Sequence, residues 1–343
     1  MNKRRIAFWA LVLLLAAFLL WKIHQSHFDW HAFWLACRQV NLPLFLMATL
    51  MVYSNSVARA VRWTIFLKPS LPPEQRKPWW TLLGAQFIGF TGLAIFGRVG
   101  ELIRPYLVSR RTGLSFSSQI AVVAVERIFD LAAFGILFAG NLIVSPQLNA
   151  LPYHELFHKL GWVIAAMIAV LAAFVIAVRV AGEFMARLIQ HIVGILSKPA
   201  GQSAEVKVLE FRNGLNVVDS TSDFIGIIVC SFALWGAVAI AYVLTMKAFP
   251  APVHNLTIAH CLLLMGFSVV GGIVTLPGVG GGAQALTFGA LTRLFGVPAE
   301  LAASAAIIMY FVTTINVILP GLIYARVESV NLRTVARESA QKS

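Results

Sequence analysis

The stretch Gly97-Arg98-Val99-Gly100-Glu101-Leu102-Ile103-Arg104-Pro105 breaks an apolar run. Arg110-Arg111-Thr112-Gly113 follows it, and then Val125-Glu126-Arg127-Ile128-Phe129-Asp130 inside another apolar run. The chain around it is lipid-like: 59% hydrophobic, 12% charged, with a mean hydropathy of +0.81. A central Arg or Asp costs about 2.5–3.5 kcal/mol on insertion scales, so charges at such depth persist when paired or wetted. This stretch therefore marks both the irregular point of the fold and the first place to look for function.

A chain of 343 residues this apolar has too little polar surface to form a soluble globule. It reads as one integral membrane domain over 1–343. Lys3-Arg4-Arg5 followed by Ile6–Trp21 imitates a secretory signal, but Lys22-Ile23-His24-Gln25 follows in place of a small-x-small cleavage site, so an uncleaved first helix is expected. Cys37, Cys230 and Cys261 are scattered and suggest neither a disulfide framework nor a thiolate metal site. The net charge of +13 does not indicate nucleic acid, because the aromatic residues lie within apolar runs and are not interleaved with a basic face. The basic residues flank the hydrophobic segments, as membrane orientation requires.

Six apolar segments are long enough to span as helices: Ile6–Trp21, Leu42–Leu67, Ile120–Val144, Trp162–Val178, Phe224–Met246 and Leu301–Tyr324. Two more are broken, Leu82–Arg111 around Gly97–Gly100, and Ile258–Phe295 at Pro277-Gly278-Val279-Gly280-Gly281-Gly282. A proline followed by that many glycines does not continue a helix at ordinary cost. If each broken region dips in and returns, then 21 of the 27 Lys and Arg face the cytoplasm and five the opposite side, with Arg127 inside a helix. The cytoplasmic set comprises 3–5, 59–78, 98–111, 179–212 and 326–342. A single crossing by the first region would destroy this asymmetry, so both termini are expected in the cytoplasm. The second region could equally span and return.

The expected fold is an all-α polytopic membrane protein with about six full transmembrane helices and two re-entrant hairpins. Helix, helix, broken hairpin, helix recurs at a displacement of about 180 residues, which suggests inverted-repeat halves at 1–146 and 160–326 and a tail at 327–343. Such repeats, with discontinuous elements meeting at mid-depth, are a transporter architecture. Two glycine breaks that only allow close helix packing would give the same pattern.

Glu126 and Asp130 are four apart and share a helix face, with Arg127 three before Asp130 and able to reach it. These three sum to −1, and Arg98 or Arg104 on the preceding hairpin is the natural source of a balancing cation. A structural ion-pair network would account for the same residues. Glu101 sits beside Gly100 at the turn, with Arg104 three residues on; an arginine fork suits phosphate and a glutamate suits ammonium or a proton. Arg110 and Arg111 belong at the headgroup interface. Gly278-Val279-Gly280-Gly281-Gly282-Ala283 matches a dinucleotide pattern formally, but an apolar run and Pro277 precede it where a strand is needed, so a tight turn with exposed amides fits better. His154-Glu155-Leu156-Phe157-His158 is a literal H-E-x-x-H in a short external connection, with no obvious third zinc ligand on its side of the membrane.

Gly97-x-x-Gly100-Glu101-x-x-Arg104, Gly113, Glu126-Arg127-x-x-Asp130 and the Pro-Gly-rich segment at 277–284 together resemble the lysylphosphatidylglycerol synthase/flippase transmembrane-domain family, from about Leu42 to Tyr324. The resemblance implies a multipass bacterial inner-membrane protein with re-entrant hairpins, related to domains that move aminoacylated or other lipids between leaflets. Aminoacyl-transferring members carry a soluble catalytic domain after the membrane region, whereas this sequence runs only about 17 residues past its last apolar segment, so synthase activity is not expected. Where the family's second hairpin commonly bears an acid after its glycines, this chain has Gln284.

The expected function is therefore translocation of a phospholipid or other anionic or zwitterionic lipid headgroup between leaflets, without enzyme activity, cofactor or metal. Arg98, Arg104 and Arg127 would meet phosphate, and Glu101, Glu126 and Asp130 would meet ammonium groups or protons. The hairpin backbone at Gly97, Gly100, Pro277, Gly278, Gly280, Gly281 and Gly282, with Gln284, would frame the path. Self-association as a homo-oligomer is compatible with the sequence. Two alternatives stand: a membrane metallohydrolase using His154, Glu155 and His158, and a non-catalytic subunit that docks a membrane partner.

Overall fold

Helices begin where the sequence supplies a polar side chain for their free N–H groups. In a computed structural model describing residues 28–215, 220–276, 280–332, 334 and 338, α1 (Trp30–Arg38) starts at Asp29, whose carboxylate accepts from His31 and Ala32 N–H. Asn41 caps α2 (Leu42–Leu67) by accepting from Leu44 N–H at 3.1 Å, with Pro43 in the first turn where its missing donor is harmless. Ser115 starts α5 (Phe116–Val144) and Ser220 starts α8 (Thr221–Lys247) in the same way.

Between α2 and α5 lies the first broken region. α3 (Trp79–Phe96) ends at Gly97, a 3-10 turn covers Gly97–Leu102, and α4 (Ile103–Thr112) returns along α3. Gly97 has φ +65° and ψ −146°, a conformation closed to side chains. The legs touch through small residues: Gly100 lies on the Gly92 backbone and Gly89 against Arg104. The second broken region repeats this form. α9 (Ile258–Gly271) leads to the two-residue strands β1 (Thr275–Leu276) and β2 (Gly280–Gly281), paired antiparallel with Thr275 opposite Gly281, and α10 (Gly282–Arg293) returns. Gly281 has φ +138°, and Gly271 meets Gly282 across the legs. Pro277, Gly278 and Val279 lie outside the described residues, as does Ile6–Trp21.

Two segments depart from expectation. α6 (His154–Leu196) runs 43 residues, broken only at Ala181 (φ −125°, ψ 40°), and α7 (Lys198–Leu215) packs back on it, so much of the 179–212 connection is helical. The H-E-x-x-H residues are thus the opening turn of α6 and not part of a loop. The last apolar segment is also split, into α11 (Ala299–Thr313), a 3-10 turn at Ile315–Val317 and α12 (Ile318–Val327). Pro320 lacks the N–H that would bond Asn316 C=O, and Tyr53 Oη donates to that oxygen instead, at 3.1 Å. Five helical stretches among the described residues are long and apolar enough to cross a membrane: Leu42–Ser70, Trp79–Phe96, His154–Val178, Thr221–Lys247 and Ala299–Val327. The fold is an all-α polytopic membrane protein.

Each hairpin has its own apolar cluster. Trp63, Phe66, Leu82, Ile88, Ile103, Tyr106 and Val125 enclose the first, and Tyr242, Met246, Cys261, Leu264, Met265 and Met309 enclose the second. α2 and α8 run against one another between them, where Asn55 Nδ2 donates to Leu234 C=O at 3.1 Å. Late residues complete the first cluster: Tyr324 stacks on Phe87, Ala325, Val330 and Leu332 join the apolar contacts, Glu328 pairs with Arg111 and Glu338 with Tyr106.

The glycine contact makes a direct prediction. A Cβ on Gly100 meets backbone, which cannot rotate away, so Gly100→Ala should destabilise the protein by about 1–3 kcal/mol. Gly289 on α10 faces open space, and Gly289→Ala should be neutral or stabilising by up to about 1 kcal/mol. Detergent-phase thermal unfolding of the two variants would reveal the contrast.

Candidate functional site

α2 carries Asn55, Arg59, Arg62 and Trp63 at spacings that put them on one face, toward α5. α5 answers with Glu126 and Asp130. Arg59 Nη1 donates to Glu126 and Asp130, both at 3.0 Å. Arg62 donates to Glu126 at 2.7 Å, Asp130 at 2.8 Å and Ser231 Oγ of α8 at 2.7 Å. From the first hairpin, Arg104 donates to Glu126 Oε2 at 2.6 Å and to Gln86 Oε1 at 3.0 Å, with its guanidinium 4.4 Å from the Trp63 ring centroid. Trp63 in turn donates to Gln119 at 3.1 Å.

Helix rise locates this cluster at similar depth in every contributing element. Arg59 is eight residues from the end of α2, Glu126 ten from the start of α5, and Gly89, which packs on Arg104, ten from the start of α3. These separations correspond to about 12–15 Å along each helix, about half the thickness of a typical hydrocarbon core. Charges at that depth must be compensated, and these are: Arg62 is fully buried, and Glu126 and Asp130 are nearly so.

Beside the cluster, a cavity of about 580 Å³ opens between the two hairpin tips. Gly97 and Glu101 line it from the first tip, Gly272, Gly281 and Gln284 from the second, and Arg59, Arg127, Trp235, Tyr242 and Tyr310 from the helices. Arg127 lies 3.5 Å from Glu101, and both are about half exposed. Gln284 Oε1 accepts from Gly281 N–H at 2.8 Å and so braces the glycine turn.

The expected site residues therefore divide. Arg104 does supply a cation to Glu126, but it is buried and does not line the cavity, so it is not placed to meet a headgroup phosphate. Glu126 and Asp130 are enclosed by arginines and likewise do not line the cavity, so they are not available to an ammonium group. Arg127 pairs with Glu101 on the first hairpin tip, and among the described residues it forms no ion pair with Asp130. Glu101 lines the cavity, together with Gly97, Gly281 and Gln284. Gly100 and Gly282 act in the hairpin contacts, and the side chain of Arg98 lies outside the described residues.

Arg59 and Arg62 were not among the expected site residues, having been assigned to the cytoplasmic segment 59–78. Their spacing from Asn55 inside an apolar helix was the available signal. Removing them from the tally leaves the basic excess on that side intact. Among the described residues, no three His, Cys, Asp or Glu are grouped to hold a metal, and His154, Glu155 and His158 are exposed on the first turn of α6.

Residues 9–321 match the family described as lysylphosphatidylglycerol synthase TM region. The chain belongs to that family. A 65-residue stretch is 42% identical to glycosyltransferase AglD of Haloferax volcanii, covering 19% of this chain and about a tenth of that protein's length. No solved structure gives a significant match.

Glu126 is the keystone of the ion cluster. Glu126→Gln strips Arg62 and Arg104 of a buried carboxylate and should cost about 3–5 kcal/mol, whereas Glu101→Gln, in a half-exposed pair, should cost less than about 1 kcal/mol. Unfolding of both variants in mixed micelles, titrated with denaturing detergent, would measure the difference.

Proposed function

We propose that the protein translocates lipid, with the headgroup entering the cavity between the hairpin tips while the acyl chains stay in the bilayer. The cavity itself carries this reading. It has the volume of a small-molecule site, its largely apolar wall carries a few charged and polar groups, and two glycine-hinged elements frame it. Arg59 and Arg127 offer donors to a phosphate, Glu101 tempers their charge, and Tyr242, Tyr310 and Trp235 offer amphipathic walls. Membership of a family named for a lipid-modifying synthase ties the chain to membrane-lipid chemistry.

Transport follows from alternation. The matched order of elements, with α2, the first hairpin and α5 answered by α8, the second hairpin and the α11–α12 segment, supports inverted-repeat halves that expose the site first to one leaflet and then to the other. In this reading the hairpins are re-entrant, the basic segments and both termini face the cytoplasm, and the site is that of a bacterial inner-membrane protein.

The test is leaflet exchange in proteoliposomes carrying a headgroup-labelled phospholipid, read by chemical quenching of the outer leaflet. Wild-type protein should expose label from the inner leaflet. Arg127→Ala and Glu101→Gln should abolish exchange while keeping their elution and thermal profiles. Exchange at the wild-type rate by both folded variants would reject the assignment.

A further inference from the structure

The charges around the cavity do not sum to zero. Among the described side chains, the cluster and its neighbours comprise Arg59, Arg62, Arg104 and Arg127 against Glu101, Glu126 and Asp130, one positive charge in excess. The second half does not correct it, since the cavity residues of α8, the second hairpin, α11 and the following turn are Trp235, Val238, Tyr242, Met265, Ser268, Gln284, Thr287, Tyr310 and other uncharged groups. Lys68 and Asp223, which pair with each other, and Lys247, Arg293 and Glu300 sit at element ends, away from this depth.

The excess also has an address. Arg62 and Arg104 are buried behind the cavity wall and committed to carboxylates. Arg59 lines the cavity. Its Nε is held by Asn55 Oδ1 at 3.1 Å and its Nη1 by Glu126 and Asp130, so the guanidinium is fixed in orientation. Among the described residues, no acceptor meets its Nη2. Held at Nε and at Nη1, the group keeps the two N–H donors of Nη2 for a ligand in the cavity that Arg59 lines, with the Phe90 ring 5.6 Å away.

We infer that the cavity is a site for a single-charged phosphodiester anion held at Arg59, which makes the preferred cargo an anionic phospholipid over a zwitterionic or aminoacylated one. This rests on the translocase reading for the word cargo, while the binding claim stands on the charge and geometry alone. One negative charge at Arg59 neutralises the excess among the described side chains. Among the described residues, a headgroup with an added ammonium meets no unclaimed carboxylate: Glu126 and Asp130 are enclosed by arginines, and Glu101 is shared with Arg127.

Purified full-length protein in nanodiscs of equal phosphatidylglycerol, phosphatidylethanolamine and lysyl-phosphatidylglycerol content would be analysed by native mass spectrometry for retained lipid. Phosphatidylglycerol should dominate by about tenfold or more: all three lipids bring the same phosphodiester to Arg59, and the other two add an ammonium that the site leaves uncompensated. Arg59→Lys keeps the charge but removes the fixed guanidinium, and Arg59→Gln removes both; anion retention should weaken in the first, and the preference should vanish in the second. Equal retention of the three lipids by the wild type, which needs no variant to fold, would overturn the inference, as would preference for the lysyl lipid. Glycerophosphoglycerol, the same anion without acyl chains, added at millimolar concentration should displace little phosphatidylglycerol; full displacement would assign the site to a soluble phosphodiester and overturn the lipid assignment. Lipid exchange in proteoliposomes is measured in parallel. Anion preference with no exchange sinks the translocase reading alone, and exchange without headgroup preference sinks this inference alone.

Discussion

Three arginines and two carboxylates, held near the middle of a membrane-length fold, determine how the first half is assembled. Arg59 and Arg62 come from α2, Arg104 from the first hairpin, Glu126 and Asp130 from α5, and Ser231 extends the network to α8. Largely buried from bulk water, these groups compensate one another, so each requires the others in position. Apolar contact alone permits many ways for helices to slide and rotate. A bidentate, multi-partner ion cluster permits few, and it therefore fixes the register of four elements at once. The hairpin can be short, broken and glycine-lined because Arg104 anchors it.

The first-half site was only partly legible in the sequence. Gly97–Arg104 and Glu126-Arg127-x-x-Asp130 announce themselves because charge and glycine are improbable in such surroundings. The hairpin reversal follows from the glycines, and the α2, α5 and α8 segments follow from hydropathy. What the sequence conceals is partnership. Arg59 and Arg62 lie near the end of a span, where basic residues normally meet headgroups, and nothing local says that they turn inward to residues 64–71 positions away. Arg127 conceals the converse: adjacency to Glu126 suggests a shared role, yet one residue of helical rotation sends it to another neighbour.

The second half teaches a different lesson. Its hairpin keeps the geometry of the first, with glycine on glycine across the legs and a positive-φ glycine at the turn, but its one charged residue, Arg293, stands at the far end of α10. Gln284 serves the backbone of the turn through Gly281. Shape and chemistry have separated: both halves supply the hinge and the wall, and one supplies the electrostatics. The splitting of the last apolar segment was written in Pro320, but the acceptor it frees is taken by Tyr53, from the far end of the chain, and long-range rescue of that kind leaves no local pattern.

The closure of the first hairpin by Tyr324, Ala325, Val330 and Leu332 has a consequence in time. Arg104 meets Glu126 after only 22 further residues have been made, so the polar pairing can form early in biosynthesis. The apolar seal depends on residues more than 200 positions later. At about 5–20 residues per second, the half-built hairpin waits on the order of 10–40 s for its cover. During that interval the ion cluster is what holds the hairpin against α2 and α5.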